Sequence, residues 1–564
     1  MNRNVESHFS LLPKADISRS KLDVSKRLLT SFNVGDLIPI YLEEVLPGDT
    51  FQVDTSKVVR MQTLLTPMMD NIYLDTYYFF VPARLCWSHW RELMGENTES
   101  AWIPTTEYSV PQLEAPDGGW NVGTIADHFG IPTGVSGLSV NALPFRAYSL
   151  ICNDWFRDEN LTDPLITPLT DATVTGVNSG NYVTDCAKGG LPFKVSKYHD
   201  YFTSALPAPQ KGPDVSIPVT SSTEWPVVTA NKSHDPTGYN MRLYGNYFAI
   251  NGQMYQNTDY SPWAVFESGV NNEDVMIANI PSDDFNYSRS ATNEGSEPLN
   301  LYAINPGDVP AATINELRMA FQLQKFFERD ARGGSRYTEL IRSHFGVTSP
   351  DSRLQRPEYL GGNRIPLTIA QVIQQSGTVA TETPQGTVTG LSLTTDKHSD
   401  FTKSFTEHGF VIGLVCARYD HTYQQGLRRL WSRKSRYDYY WPVFANLGEQ
   451  AILNREIFAQ GTSADAEVFG YQEAWADYRY GINEVHGEMR STAALSLDSW
   501  HLADDYSELP TLSDGWIRED GNTVDRVLAV QSNVANQIYG DFYFKAYATR
   551  PMPVYSIPGL IDHH

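Results

Sequence analysis

The sequence predicts a mainly β protein with long structured loops and a few helices. Tyrosine leads the aromatics, with 31 among 564 residues, and it comes with 33 prolines and 40 glycines. Strand formers mixed with turn formers suit many short strands. Runs of β-branched and aromatic residues recur near both ends of the chain, and helical periodicity is confined to a few stretches between them.

Residues 1–50 read as an N-terminal arm. The first thirty are polar and mildly basic, with Arg3, Lys14, Arg19, Lys21, Lys26 and Arg27 against Glu6, Asp16 and Asp23. Such composition suits an extended segment or a loose terminus. A first part of the core spans 51–212. Phe51 to Leu65 and Asn71 to Val81 are strand runs split by Thr66-Pro67. The second run ends with apolar residues at both alternating positions, which predicts a strand covered on both faces at that end. Phe145, Tyr148, Cys152, Trp155 and Phe156 recur at three- and four-residue steps and predict a helix with one apolar stripe.

Residues 213–310 differ from their surroundings. They are rich in Asn, Ser, Thr, Tyr and Pro and hold twelve acids against Lys232, Arg242 and Arg289, a local charge of about −9. That charge predicts a solvent-facing insertion, either a solvated loop or an exposed recognition surface. The second part of the core and a C-terminal tail follow over 311–564. Thr313-Ile314-Asn315-Glu316 has capping-box spacing, with Leu317, Phe321 and Phe327 on one face and Gly333-Gly334 as the stop. A third helix is predicted from about Leu447 to Phe458. Phe410 to Tyr419 and Asp541 to Ala548 are strands. In the latter, Phe542, Phe544, Ala546 and Ala548 alternate with Tyr543, Lys545 and Tyr547.

The formal net charge of −23 argues against a surface that coats nucleic acid everywhere, so any such contact is local. The cations comprise 29 Arg and 14 Lys, a bias towards bidentate, semi-buried pairing. Gln425 to Trp441 is the exception to the acidity. Arg428, Arg429, Arg433, Lys434 and Arg436 sit there among Trp431, Tyr437, Tyr439, Tyr440 and Trp441, with Asp438 the one acid. Guanidinium groups for phosphates and flat rings for unstacked bases suit single-stranded nucleic acid. The same mixture suits an Arg-rich protein interface. Arg428, Arg429, Trp431, Arg433, Lys434, Arg436, Tyr437 and Tyr439 are the DNA-contact candidates. Leu427, Leu430 and Trp431 hint at a buried helical face, in which case the arginines bridge subunits.

The four cysteines show no metal spacing, and a disulfide framework is not expected. No signal-peptide core and no apolar run near the ~18 residues of a membrane span is present, so a soluble protein kept inside a cell is expected. There is no HExxH, no GxSxG and no Gly-Lys dipeptide. His199, His344, His408, His421 and His486 lack ligand spacing and read as structural or surface residues. Glu273/Asp274 and Asp283/Asp284 lack an EF-hand pattern and read as solvated loop acids. Neither catalytic residue, metal nor cofactor is expected. Paired carboxylates for sugar hydrolysis are set by space rather than sequence. A β-rich carbohydrate-binding or hydrolytic protein therefore stands as the competing reading.

A series of motifs runs through the chain in one order. Ser7-His8-Phe9-Ser10 and Leu46-Pro47-Gly48-Asp49-Thr50-Phe51 come first, then Phe79-Phe80-Val81-Pro82, Leu143-Pro144-Phe145-Arg146-Ala147-Tyr148 and His199-Asp200-Tyr201-Phe202. The densest part is Phe327-Glu328-Arg329-Asp330-Ala331-Arg332-Gly333-Gly334, with Arg356-Pro357-Glu358-Tyr359-Leu360-Gly361-Gly362 after it. Tyr423-Gln424-Gln425-Gly426, Phe469-Gly470-Tyr471-Gln472-Glu473 and Arg550-Pro551-Met552-Pro553-Val554-Tyr555-Ser556-Ile557-Pro558-Gly559 close the series. In these residues the chain resembles the major capsid proteins of the microviruses, most of all the gokushovirus branch. The resemblance runs end to end except at 213–310 and shorter loops near 105–125, 165–190 and 376–400.

The resemblance implies an eight-stranded antiparallel jelly-roll of viral-capsid type with long loop insertions. It also implies self-assembly into a T=1 icosahedral virion around circular single-stranded DNA, in the cytoplasm of a bacterial host. The partners it implies are further copies of the chain, the packaged DNA, a small DNA-binding protein, a DNA pilot protein and a bacterial receptor, with no membrane insertion. The 213–310 insertion stands where that branch carries a three-fold protrusion. A minor spike component of the virion is a third reading, against which the end-to-end match counts. Pro551, Pro553 and Pro558 keep the tail out of helices and central strands. Arg550, Pro551, Pro553, Tyr555 and Pro558 are therefore read as contacts to a neighbouring subunit, with packing on their own subunit as the alternative.

Overall fold

The computed structural model describes residues 18–99, 105–213, 314–376 and 384–555, together with Val215 and six short strands between 227 and 303. The chain divides into two units, one comprising 1–212 with 327–564 and the other 213–326.

Ten strands form the two main sheets of the larger unit: β1 (Ser20–Asp23), β2 (Lys26–Phe32), β3 (Asp36–Val45), β4 (Thr50–Met61), β5 (Ile72–Pro82), β6 (Phe193–Lys194), β7 (Glu358–Pro366), β8 (Thr394–Ser404), β9 (Gly409–Tyr419) and β10 (Ile538–Arg550). They form two five-stranded antiparallel sheets. The first has the order β1-β10-β4-β8, with β2 following β1 along the same edge of β10. The second has the order β7-β5-β9-β3-β6.

Side-chain alternation explains the layering. On β10, Phe542, Phe544, Ala546 and Ala548 are fully buried while Tyr543 and Lys545 point out. Phe51, Val53, Val59 and Met61 do the same on β4. These inner faces share one core with Leu74, Tyr78, Val411 and Val415 of the second sheet. Each large apolar side chain so buried contributes on the order of 1.5–3 kcal/mol. The second sheet is also covered on its other side. Phe79, Val81, Phe410, Ile412, Leu414 and Cys416 pack there against Trp87, Trp120, Phe145 and Tyr148. Two-sided cover accounts for the unbroken apolar runs of β5 and β9.

The helical stripe at 145–156 is α1 (Leu143–Ile151), continued by a π-helical turn over Cys152–Phe156. Past the acidic segment come α2 (Ile314–Gly333) and α3 (Tyr337–Phe345). Thr313 lies outside the described residues. The helix expected from Leu447 to Phe458 is absent. Glu449–Leu453 is a strand paired with Val468–Glu473, and only Asn454–Ile457 turns helical. Ladder hydrogen bonds and the burial of Ile452 override the local helix propensity of Glu-Gln-Ala-Ile-Leu. Within the 1–50 stretch expected as an arm, β1, β2 and β3 take up most of the residues from Ser20 onward, and Ile38, Ile40 and Val45 of β3 belong to the core.

All four cysteines are free and buried, and burial pushes the thiols of Cys86 and Cys416 up to about 12. The smaller unit holds three antiparallel strand pairs: Val227–Thr229 with Leu301–Ala303, Met241–Leu243 with Trp263–Val265, and Tyr247–Ile250 with Gln253–Gln256. The acid pairs at 273–274 and 283–284 lie outside the described residues. Among the described residues no helix is long and apolar enough to cross a membrane.

Candidate assembly and nucleic-acid surfaces

The basic aromatic segment 425–441 rests on a platform with a core of its own. Tyr201, Phe202, Tyr423, Ile452, Ile457 and Phe469 pack together there. Gly426 is required where the segment crosses Asn454–Ile457, because a Cβ at that position would lie 2.0 Å from the Glu456 carbonyl oxygen. Backbone hydrogen bonds from Leu427 to Arg455 (2.7 Å) and from Ala459 to Gln425 (3.0 Å) fasten the crossing.

Beneath it lies a buried charge cluster. His421 follows β9, and its Nδ1 is 3.1 Å from both carboxylate oxygens of Asp504 while Nε2 is 3.0 Å from Oε2 of Glu519. Burial disfavours the imidazolium, but the two carboxylates overcome it and raise His421 to about 10. With both ring nitrogens donating, the ring is a cationic strut between two loops and has no free nitrogen for acid–base chemistry.

The eight DNA-contact candidates divide by environment. Arg429 is mostly buried and donates from Nη2 to Oε1 of Glu456 at 2.7 Å. Burial pulls its pKa down, and Glu456 more than offsets that, leaving it raised. Arg433 is also sequestered. It pairs with Asp477, donates from Nε to the Asp438 carbonyl at 3.0 Å and lies 4.3 Å over the Tyr478 ring. Arg428 is half-exposed, with its Nε 3.6 Å from Glu484. Arg436 is exposed and stacks 4.8 Å over Tyr437. Lys434 points to solvent, as do Trp431 (71% exposed), Tyr437 and Tyr439. Tyr440, Trp441, Val443 (87% exposed) and Leu447 extend the open apolar surface. The hinted burial of Leu427, Leu430 and Trp431 does not occur, because the segment makes short 3₁₀ turns at Arg429–Ser432, Arg436–Asp438 and Pro442–Phe444 rather than a packed helix.

The tail candidates also divide. Arg550 ends β10 with its guanidinium on its own subunit: Nη2 donates to the Glu44 carbonyl at 2.8 Å, and Nε is 3.3 Å from Asp49. Pro551 is half-buried beside Gly48, and Pro553 and Tyr555 are exposed. Pro558 lies outside the described residues.

One structural centre escaped the motif reading. Asp75 is buried on β5 and accepts from Nε of Arg364 (2.7 Å), Nη2 of Arg418 (2.7 Å), Tyr198 (2.8 Å) and Tyr77 (3.0 Å). The two guanidinium groups lie 4.2 and 4.3 Å from the Tyr198 ring. Burial would raise the carboxyl, yet the two arginines hold it below its usual range. The available signal was a lone acid inside the apolar run of 72–81.

The comparison with known proteins covers nearly the whole chain. A family model described as capsid protein (F protein) matches residues 10–560. The capsid protein VP1 of Spiroplasma virus 4 is 42% identical over 555 residues, covering 98% of this chain and 97% of that protein. The capsid proteins VP1 of Bdellovibrio phage phiMH2K and Chlamydia phage 1 are each 40% identical, covering 99% of this chain and 98% of each relative.

Proposed function

The chain belongs to the capsid protein (F protein) family, and we propose that its copies close into a T=1 icosahedral shell around circular single-stranded DNA. It is a structural protein of the virion and not an enzyme. The observation that carries the reading is similarity over nearly the whole chain to three capsid proteins. Strand order supports the jelly-roll form of the fold. Taking β2, β3, β4, β5, β7, β8, β9 and β10 as first to eighth, one sheet runs first-eighth-third-sixth and the other second-seventh-fourth-fifth. That interleaving is the order expected of two nested Greek keys.

Closed symmetry requires repeated complementary patches. The 425–441 ledge serves contacts between copies: Arg429 and Arg433 are committed internally, while Trp431 and Trp441, with Val443 and Leu447 just past the segment, offer an open apolar surface rimmed by Lys434 and Arg436. Pro551, Pro553 and Tyr555, past the anchor at Arg550, extend to a neighbouring subunit. The 213–310 insertion faces outward for attachment to a bacterial receptor, its acidity keeping it solvated. Assembly takes place in the host cytoplasm with a small DNA-binding protein and a DNA pilot protein.

Negative-stain microscopy of the expressed chain tests this. Small closed particles or pentamers are expected, and a monodisperse small species by sedimentation would overturn it in favour of the carbohydrate-active alternative. Deleting residues 214–308 should leave particles that form but do not attach to cells. Loss of assembly would refute the role given to the insertion.

A further inference from the structure

The outward face of the first sheet is a second place where rings and cations meet, and strand register creates it. Along β10 the outward residues are Tyr539, Asp541, Tyr543, Lys545 and Tyr547. Arg27 of β2 stands opposite Tyr543 on one side, and Ser56 of β4 on the other. Lys397 of β8 stands opposite Ser56. One row across four strands therefore reads Arg27, Tyr543, Ser56, Lys397, spanning about 14 Å at the usual strand spacing. Arg60 of β4 stands opposite Tyr539. Ser56 leaves open space beside the Tyr543 ring, a depression of about 520 Å³ lined by Arg27, Ser56, Val58, Thr395, Lys397 and Tyr543 among others.

The face is positive in an acidic chain. Lys21, Arg27, Arg60, Lys397 and Lys545 stand there against Asp23, Asp54 and Asp541, while Asp396 in the wall of the depression is matched by Lys57 at 3.5 Å. Arg27 is paired with Asp541 (Nε–Oδ1 2.7 Å), and Lys21 lies 4.0 Å over the ring of Tyr547. Arg60 and Lys397 make no ion pair among the described residues, and Tyr539 and Tyr543 are 39% and 46% exposed. A protein interface would bring an apolar centre, whereas the large aliphatic side chains exposed here are Leu29 and Val58, each set among charges. Rings on a sheet beside two unpaired cations match a polyanion with flat bases.

We propose that this open sheet face grips a single strand of nucleic acid, with Tyr539 and Tyr543 stacking bases and Arg60 and Lys397 holding phosphates. The proposal rests on the reading that the shell packages single-stranded DNA, and it assigns the contact to a surface separate from the 425–441 ledge.

Photo-crosslinking of intact particles grown with bromodeoxyuridine, followed by peptide mapping, tests it without any substitution. Crosslinks at Tyr539 or Tyr543 are expected. Crosslinks confined to other peptides, the 425–441 segment included, would overturn the sheet-face contact and leave the DNA reading standing. Particles without DNA would overturn the DNA reading itself. Oligothymidylate binding to dissociated subunits gives a second measurement. Tyr543→Ala should weaken binding roughly tenfold. Arg60→Gln with Lys397→Gln should flatten the dependence of log affinity on log salt by about 0.7 per lost contact. Unchanged affinity and slope, or reduced particle yield at constant DNA content, would overturn the proposal.

Discussion

Replacing His421 by leucine should leave two buried carboxylates facing each other across the vacated ring. In the native protein the His421 side chain is 1% exposed, with Asp504 on Nδ1 and Glu519 on Nε2 at 3.0–3.1 Å. A base lifted from 6.5 to about 10 binds its proton more tightly in the folded state by on the order of 5 kcal/mol. Breaking a buried ion pair by removing one partner costs about 3–5 kcal/mol. Because one carboxyl can take up a proton in the variant, the lower figure of about 3 kcal/mol is expected at pH 6. The sign of the pH dependence follows from the raised pKa. The contribution is fully present below about 6.5 and is lost as the pH rises through about 10. Urea unfolding of dissociated subunits, followed by tryptophan fluorescence from pH 6 to 10.5, measures both. His421→Leu should unfold at a lower midpoint at pH 6, with the deficit shrinking towards pH 10.5. Equal midpoints at pH 6, or a deficit that widens with pH, would refute the strut between the two loops.

Asp75→Asn keeps the side-chain shape but leaves Arg364 and Arg418 without their shared anion. A loss of about 3 kcal/mol is expected at pH 7. Because this carboxyl is depressed, its contribution is present above the ordinary carboxylate range and fades as the pH falls through its folded value, so the deficit in urea midpoint should narrow in acid. Arg429→Ala should destabilise subunits by about 3 kcal/mol through the uncompensated Glu456. Arg436→Ala, at an exposed site, should shift the same midpoint by less than about 0.5 kcal/mol. Trp431→Ala with Arg436→Ala should lower particle yield at constant DNA per particle, read by sedimentation and absorbance ratio. Less DNA at constant yield would instead return the ledge to a nucleic-acid role.

What the sequence made legible depended on whether the deciding residues were close together in the chain. Phe542, Phe544, Ala546 and Ala548 alternate within one strand, so the inward face of β10 could be read locally. The 449–457 segment could not, because its partner at 468–473 decides its state and its own residues favour a helix. The same distinction separates the two basic surfaces. Segment 425–441 gathers five cations and five rings in seventeen residues, and so stood out at once. Folding then turns Arg429 and Arg433 inward, which no count of residues along the segment registers. On the sheet face, Arg27, Ser56, Lys397 and Tyr543 come from four strands more than five hundred residues apart at the extremes, and each is unremarked in its own neighbourhood. Antiparallel register alone puts them in one row. A linear motif thus overstated the charge that the ledge can offer a phosphate, while the row across the sheet keeps Lys397 and, one strand away, Arg60 without a carboxylate partner among the described residues. If stacking and phosphate contact both act on the strand, the variants at Tyr543 and Lys397 should differ in kind: the first lowers affinity at every salt concentration, the second most at low salt.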